Sequence, residues 1–377
     1  MKIGVVRELS PAESRVALTP GAVYEITRRG HEVLVELGAG LESGIPDEEY
    51  SAAGARILGD AAAVWNESEI MVKVSGPVPE EHGLLREDMI LFGFLSLAVN
   101  PSLVRALIES RCRAFALEMI QDDRGRLPVL TPMSEIAGRL VPQIGAHYLQ
   151  RPSGGRGILL GGSTGVQPGR VVVLGAGIVG TGAARVASGL GADVTVLDRD
   201  IDRLRQLEGL RLRGVRTLVA GGMSIREAVL GADLVVGAVL VVGARTPALV
   251  DRDTVREMRS GAVIVDVDVD HGGCVETSRP TTLDDPVFVE EDVIHYCVKN
   301  VPATVPITAT QALSNALLPY VLGVADRGLV GALNSDAGLR RGAAIVEGRV
   351  VSPPLAEACG AEHYRLSSVL PMHAEAR

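Results

Sequence analysis

The chain has 377 residues, 47% of them apolar and 22% charged, with a formal net charge of -9. Such an apolar share excludes a disordered chain, and 44 Gly and 20 Pro are too dilute for collagen or low-complexity sequence. The length predicts two domains, or one large domain with an insertion, and the negative charge disfavours a nucleic-acid partner.

Lys2, Arg7 and Glu8 place charges in a short N-terminal run that lacks the apolar stretch and cleavage site of an export signal. The longest apolar run, 234–244, is bounded by Asp233 and Arg245 and falls short of the ~20 residues that cross a bilayer, so no membrane partner is expected. Cys112, Cys274, Cys297 and Cys359 lie far apart with no C-x-x-C spacing, which predicts a reducing, cytoplasmic setting and no metal.

In chain order, the first third alternates β-rich runs at 3–6, 32–36, 70–74, 89–95 and 114–117 with helical patterns at 22–29 and 101–110. That rhythm is the mark of an α/β layer with a mainly parallel sheet. A longer helical pattern runs from Ser134, a candidate N-cap, to about Gln150 and reads as a helix joining two domains. After a glycine-rich stretch at 151–169, strands are predicted at 171–174, 193–197, 216–219, 234–239, 262–269 and 293–298, followed by a long helix from 308 to about 326. The Arg-rich stretch at 203–216 reads as a solvated face.

The strand at 171–174 runs into Gly175, Gly177 and Gly180 in a G-x-G-x-x-G pattern that opens a helix-compatible segment. Glycines there let the backbone turn tightly and approach a pyrophosphate, which the free N–H groups and dipole of a helix N-terminus attract. The next strand ends at Asp198, 18 residues past Gly180. A carboxylate there accepts hydrogen bonds from the ribose hydroxyls of NAD and repels the 2′-phosphate of NADP, so NAD is the expected cofactor. Arg199 beside it works against that preference, because a guanidinium can pair with such a phosphate.

From Lys2 to about Ser368 the sequence resembles the alanine dehydrogenase family, which is related to the soluble nucleotide-binding part of proton-pumping nicotinamide transhydrogenase. The motifs that carry the resemblance are ESRVALTP at 13–20, PMSEIAGR at 132–139 and DHGGC at 270–274. It implies an α/β fold of two Rossmann-like domains. A discontinuous substrate domain is expected from residues 1–130 and 305–377, and a central NAD-binding domain with a doubly wound parallel sheet from 131–304. It also implies a homo-oligomer, commonly a hexamer.

By the same resemblance Arg15 holds the substrate carboxylate, and a planar fork is suited to that grip. Asp270 is the catalytic aspartate beside the nicotinamide. Ser134, Asp198, Arg203, Val239, Leu240 and Asn300 contact NAD. Two substitutions depart from the family pattern. K-x-K-x-P reads Lys73-Val74-Ser75-Gly76-Pro77, so Ser75 replaces the substrate-touching lysine, and F-L-H-L-A reads Phe94-Leu95-Ser96-Leu97-Ala98, so Ser96 replaces the catalytic histidine. Serine cannot exchange a proton near neutrality as imidazole does.

Strand periodicity places Asp266, Asp268 and Asp270 on one face. Three neighbouring carboxylates are costly if all are buried and charged, so Asp268, or His271 just beyond, is a candidate for part of the lost proton-transfer role. The leading reading is an NAD-dependent dehydrogenase that converts a small L-amino acid to a 2-oxo acid, ammonia and NADH. The alternatives are a diverged paralogue with another substrate or reaction, and a non-catalytic NAD-binding protein.

Overall fold

The computed structural model describes residues 1–10, 13–239, 246–269 and 272–371. The chain divides into two compact units, Met1–Met133 with Ala303–Arg377, and Ser134–Pro302.

The first unit is built on an eight-stranded sheet. Its strands are β1 (Lys2–Val5), β2 (Glu32–Glu36), β3 (Arg56–Leu58), β4 (Ile70–Ser75), β5 (Ile90–Phe94) and β6 (Arg113–Ala116), with two more strands from the C-terminal part of the chain. The six named strands run parallel in the order β3-β2-β1-β4-β5-β6. The direction of winding therefore reverses between β1 and β4, where open α/β sheets form a crevice at their carboxyl ends.

The helices of this unit that precede the second are α1 (Pro20–Arg28), α2 (Asp47–Ala52), α3 (Ala61–Glu67) and α4 (Pro101–Ser110). Thr19 caps α1 by accepting from the Ala22 N–H, and Pro20 fills its first turn, where no N–H is needed. Asn100 and Pro101 open α4 in the same way. The unit boundary falls inside α5 (Thr131–Tyr148).

The second unit carries seven strands, β7 (Arg170–Leu174), β8 (Asp193–Asp198), β9 (Val215–Val219), β10 (Leu234–Gly237), β11 (Val263–Asp266), β12 (Val287–Glu290) and β13 (Val293–Tyr296). Their order is β12-β13-β11-β10-β7-β8-β9, parallel except for β12 at the edge. Its helices are α6 (Ile178–Gly189), α7 (Ile201–Gly209), α8 (Gly222–Leu230) and α9 (Arg252–Arg256). Strand periodicity sorts the core into two layers. Val171 and Val173 join one hydrophobic cluster with Leu234, Val236, Val263 and Val265, while Val172 and Leu174 join another with Val235 and Ile264. A strand buried on both faces reads as an unbroken apolar run, which is why VVVL at 171–174 shows no alternation.

The chain then returns to the first unit through α10 (Pro306–Ser335), α11 (Ala337–Gly342), β14 (Ala343–Val346), β15 (Arg349–Val350), α12 (Pro353–Cys359) and α13 (Leu366–Val369). β14 pairs antiparallel with β6, and β15 antiparallel with β14, completing the eight-stranded sheet. α10 is long and apolar enough to cross a membrane by length and composition alone. Leu313, Leu317, Val321 and Val324 on it are buried within its own unit, as in the core helix of a globular domain.

Two expectations are corrected. Ser134 is not an N-cap, because α5 starts at Thr131 with Pro132 in its first turn, so Ser134 lies inside the helix. The strand expected at 262–269 ends at Asp266, and Asp268 sits in a turn, so no shared strand face aligns it with Asp266. The long helix expected from 308 to about 326 is interrupted at Gly328, whose φ of 69° and ψ of 165° are not helical, and a second helical segment carries α10 on to Ser335.

Candidate active site

In the first unit, the candidate residues gather where β1, β4, β5 and β6 end. The Arg15 guanidinium lies against Glu13, with Nε donating to Oε1 at 2.7 Å and Nη2 to Oε2 at 2.6 Å. Nη1 meets the Met133 sulfur at 3.1 Å, and both charged side chains are almost fully buried. A guanidinium has five N–H donors, so this arrangement leaves two at its terminal nitrogens for a further acceptor. Burial works against the charge on Glu13, but its hydrogen bonds with Arg15 and Ser75 outweigh this and hold its pKa below the ordinary carboxylate value.

Ser75 closes β4, and its Oγ donates to Glu13 Oε2 at 3.0 Å. Its backbone is held by Glu8, which accepts from the Val74 N–H at 2.6 Å and from the Ser75 N–H at 3.4 Å. Lys73 is 1% exposed, and its ammonium lies 2.8 Å from Glu81 and 3.3 Å from Glu8, two partners inside its own unit. Those carboxylates outweigh burial and raise its pKa. Burial pushes the Glu8 carboxyl up to about 7, against the pull of Lys73 and the Val74 N–H.

Ser96 is exposed on the turn after β5, with a left-handed backbone at φ 47° that is uncommon for any residue other than glycine. Glu118, beyond β6, holds that turn by accepting from the Ser96 N–H at 2.7 Å and the Leu95 N–H at 3.3 Å. Burial raises the Glu118 pKa in spite of these donors.

In the second unit, the three glycines occupy three kinds of space. Gly175 has φ +103°, and a Cβ there would run into the Ala238 carbonyl oxygen at the end of β10. A Cβ on Gly180 would run into the Gly175 carbonyl, so this glycine lets α6 pack tightly on its own loop. A Cβ on Gly177 would meet nothing within 4 Å, and Gly177 caps α6 with no side-chain hydrogen bond. Open space before uncapped N–H groups is a cradle that fits a dinucleotide pyrophosphate.

Asp198 closes β8 beside that loop and accepts from the Ala176 N–H at 2.7 Å and the Asp200 N–H at 2.8 Å. Arg203 on α7 lies 3.9 Å from Asp198, and Arg199 is exposed. Val239 follows β10 next to Gly175, and Asn300 follows β13 with φ 58°. Gly175, Asp198, Arg199, Val239 and Asn300 lie at or just past the carboxyl ends of strands, whereas Ser134 is on α5, Gly180 on α6 and Arg203 on α7. Leu240, Asp270 and His271 lie outside the described residues.

Asp266 at the end of β11 holds the segment that follows. It accepts from the Cys274 N–H at 2.9 Å, the Val275 N–H at 3.2 Å and the Ser278 hydroxyl at 2.7 Å. Asp268 is 7% exposed, and its carbonyl accepts from the Gly273 N–H.

Sequence reasoning gave no role to Glu8, Glu13, Glu81 or Glu118. Glu13 stood in the ESRVALTP motif, so its nearness to Arg15 was the available signal; nothing local in the sequence pairs Glu81 with Lys73 or Glu118 with the turn at Ser96.

The description "Alanine dehydrogenase/PNT, N-terminal domain" matches residues 4–137, and "Alanine dehydrogenase/PNT, C-terminal domain" matches residues 141–353. An alanine dehydrogenase of Mycobacterium tuberculosis is 48% identical over 370 residues, covering 98% of this chain and 100% of its own. That of Bacillus subtilis is 46% identical over 364 residues, covering 96% of each. A solved L-alanine dehydrogenase superposes with a TM-score of 0.91 at 46% identity, over 95% of this chain and 99% of the other. A transhydrogenase from Sinorhizobium meliloti, at 24% identity and a TM-score of 0.79 over 94% and 99% of the chains, shares the fold. With both domain models matched in order and relatives near half identity along the whole chain, this protein belongs to the alanine dehydrogenase/PNT family.

Proposed function

We propose that the protein is an NAD-dependent dehydrogenase that oxidatively deaminates an L-amino acid. The observation that carries this reading is the buried Arg15 fork, with two N–H groups left for a carboxylate, in a chain whose other unit holds a dinucleotide cradle at Gly177. Arg15 grips the substrate carboxylate, while Glu13 and Met133 fix the guanidinium so that little ordering remains to be done on binding. Gly175, Gly177, Gly180 and Asp198 hold the cofactor, with Ser134, Arg203, Val239, Leu240 and Asn300 contributing. NAD, when bound, accepts hydride from the substrate Cα.

The substrate ammonium gives up a proton before this, so that its nitrogen lone pair can form the imine as hydride leaves; water then adds to the imine, and a 2-oxo acid and ammonium leave. One amino acid, one NAD⁺ and one water yield the 2-oxo acid, ammonium, NADH and one proton. Asp270 assists these proton transfers, and Asp268 or His271 takes part of the role that Ser96 cannot perform. Loss of a proton-transfer group commonly costs roughly 10²–10⁴-fold, so slow turnover of alanine itself is expected. The three buried free cysteines fit work in a reducing cytoplasm, and assembly as a hexamer follows from the family resemblance.

NADH absorbance with a panel of L-amino acids, alanine included, at mildly alkaline pH tests the reading. NADH formation with at least one member is expected. If none reacts in protein that binds NAD by calorimetry, the dehydrogenase reading fails. If the Asp268→Ala variant turns over unchanged, Asp268 has no proton-transfer role.

A further inference from the structure

The second unit carries a groove of about 440 Å³, with Arg151, Arg156, Ser260, Gly261, Val289 and Asp292 among its walls. Residues 151–156 come before β7, Ser260 and Gly261 before β11, and Asp292 before β13. The groove therefore sits at the amino ends of the sheet, whereas Gly175 and Asp198 stand at its carboxyl ends. Its backbone is tied together: the Arg156 N–H donates to the Gly261 carbonyl at 3.1 Å, and the Gly261 N–H to the Asp292 carbonyl at 2.8 Å. Gly261 has φ +72°, and a Cβ there would lie 2.9 Å from the Arg156 nitrogen, so glycine permits this close approach.

The charged side chains of this wall divide into two sets. The buried Asp233 carboxylate lies 3.1 Å from Arg156 Nη1 and 3.4 Å from Arg259 Nη1, and accepts from the Arg170 N–H at 2.9 Å. One carboxylate thus faces two guanidiniums, and Arg156 Nε is buried with no acceptor among the described residues. Arg151 and Asp292 form the second set. Both are exposed, and among the described residues neither side chain has an ion pair or hydrogen bond, with each other included. A cation and an anion thus line one groove without closing on each other.

We infer that this groove is a second binding site, for the zwitterion of a small α-amino acid, with its carboxylate directed to Arg151 and its ammonium to Asp292. A bare anion would satisfy the arginines but meet repulsion from Asp292, and a bare cation would meet the reverse. A zwitterion is matched at both ends. The surplus of guanidinium over carboxylate beside Asp233 favours the anionic end, and the exposed Ser260 hydroxyl offers a further donor to it. The groove is open to water, so each charged contact is worth little, and an affinity of about 1 mM is expected. This site is separate from the catalytic reading above and does not depend on Arg15.

Equilibrium dialysis of radiolabelled L-alanine against the full-length protein tests this. The wild type is expected to bind L-alanine at a site that Arg151→Gln and Asp292→Asn each weaken by about fivefold or more. Both positions are exposed, and urea midpoints equal to the wild type's establish that the variants are folded. At that site propionate and ethylamine, which keep one charge each, are expected to compete about fivefold or more less well than glycine. No L-alanine bound by the wild type overturns the inference, as does equal binding by the wild type and both variants. Competition by propionate equal to that of glycine also overturns it, since that marks a plain anion site. The dehydrogenase reading stands or falls on NADH formation, and the dialysis decides the groove in either case.

Discussion

Arg15 and Lys73 illustrate how burial assigns tasks to charged residues that look alike in a sequence. Both are almost inaccessible, yet Arg15 retains N–H groups that Glu13 and Met133 do not use, whereas the Lys73 ammonium is divided between two glutamates. Glu8 is the member of this network most sensitive to pH. Its folded pKa of about 7 lies above the ordinary 4.5, so the native state binds a proton that the unfolded chain has already lost. Its contribution to stability is therefore full below pH 4.5 and disappears as pH rises through about 7. Glu13, with a lowered pKa, runs the other way, and its contribution is lost only as the solution becomes acid enough to protonate it in the fold. Glu8→Gln is expected to flatten the change in urea midpoint between about pH 5 and about pH 8 relative to the wild type. Equal slopes in the two proteins would place the titrating group elsewhere. At this scale the sequence revealed the residues that motifs name, Arg15 and Asp198 among them. It could not reveal Glu81 or Glu118, because what makes each matter is a partner on another element, Lys73 for one and the Ser96 backbone for the other.

Among the elements, the loop from β7 into α6 shows the clearest division of labour. Gly177→Ala adds a methyl to open space at a backbone φ of -72° that alanine adopts without strain. Gly180→Ala drives a methyl into the Gly175 carbonyl, and backbone must shift. The first variant is expected to keep the wild-type urea midpoint while NAD affinity falls about tenfold or more, since the methyl fills the approach to the pyrophosphate. The second is expected to lose roughly 1–3 kcal/mol of stability. Denaturation and calorimetry on both variants check this, and a Gly177→Ala protein with wild-type NAD affinity would argue that the cofactor does not approach there. The same loop was legible in the sequence because an apolar strand, three spaced glycines and a helix lie within a dozen residues. β3, β12, β14 and β15 were not seen. They have two to four residues each, little for a periodicity; β3, β12 and β15 are edge strands, and β14 is set by pairing with β6 and β15. The strand at 262–269 was overextended for the opposite reason. Alternating Val and Asp reads as a strand to the end, but Asp266 turns its carboxylate to the Cys274 and Val275 N–H groups, and the chain curls back toward it.

For the whole molecule, the way the chain is divided carries a consequence of its own. The unit Ser134–Pro302 is continuous in sequence, and among the described residues two hydrophobic clusters in it are built from residues between Ala137 and Val301. The other unit is assembled from both ends of the chain, and its core needs Ala344, Ile345 and Val350 beside Leu91, Ala114 and Ala116. A domain with its own core is expected to fold alone, whereas half of a split core leaves apolar surface exposed. A fragment of residues 131–302, which retains the whole of α5, is therefore expected to unfold cooperatively and to bind NAD, because Gly177, Asp198 and their backbone partners all lie within it. Bound cofactor should then stabilise the fragment by about 2.7 kcal/mol at a hundredfold excess over its Kd, seen as a rise in denaturation midpoint that grows with NAD concentration. The fragment lacks Arg15 and should turn over no amino acid. A fragment of residues 1–133 is expected to aggregate, since β6 loses its pairing with β14. If 131–302 instead fails to fold, or folds without binding NAD, the cradle depends on residues outside that unit, and cofactor binding has to be a property of the full chain.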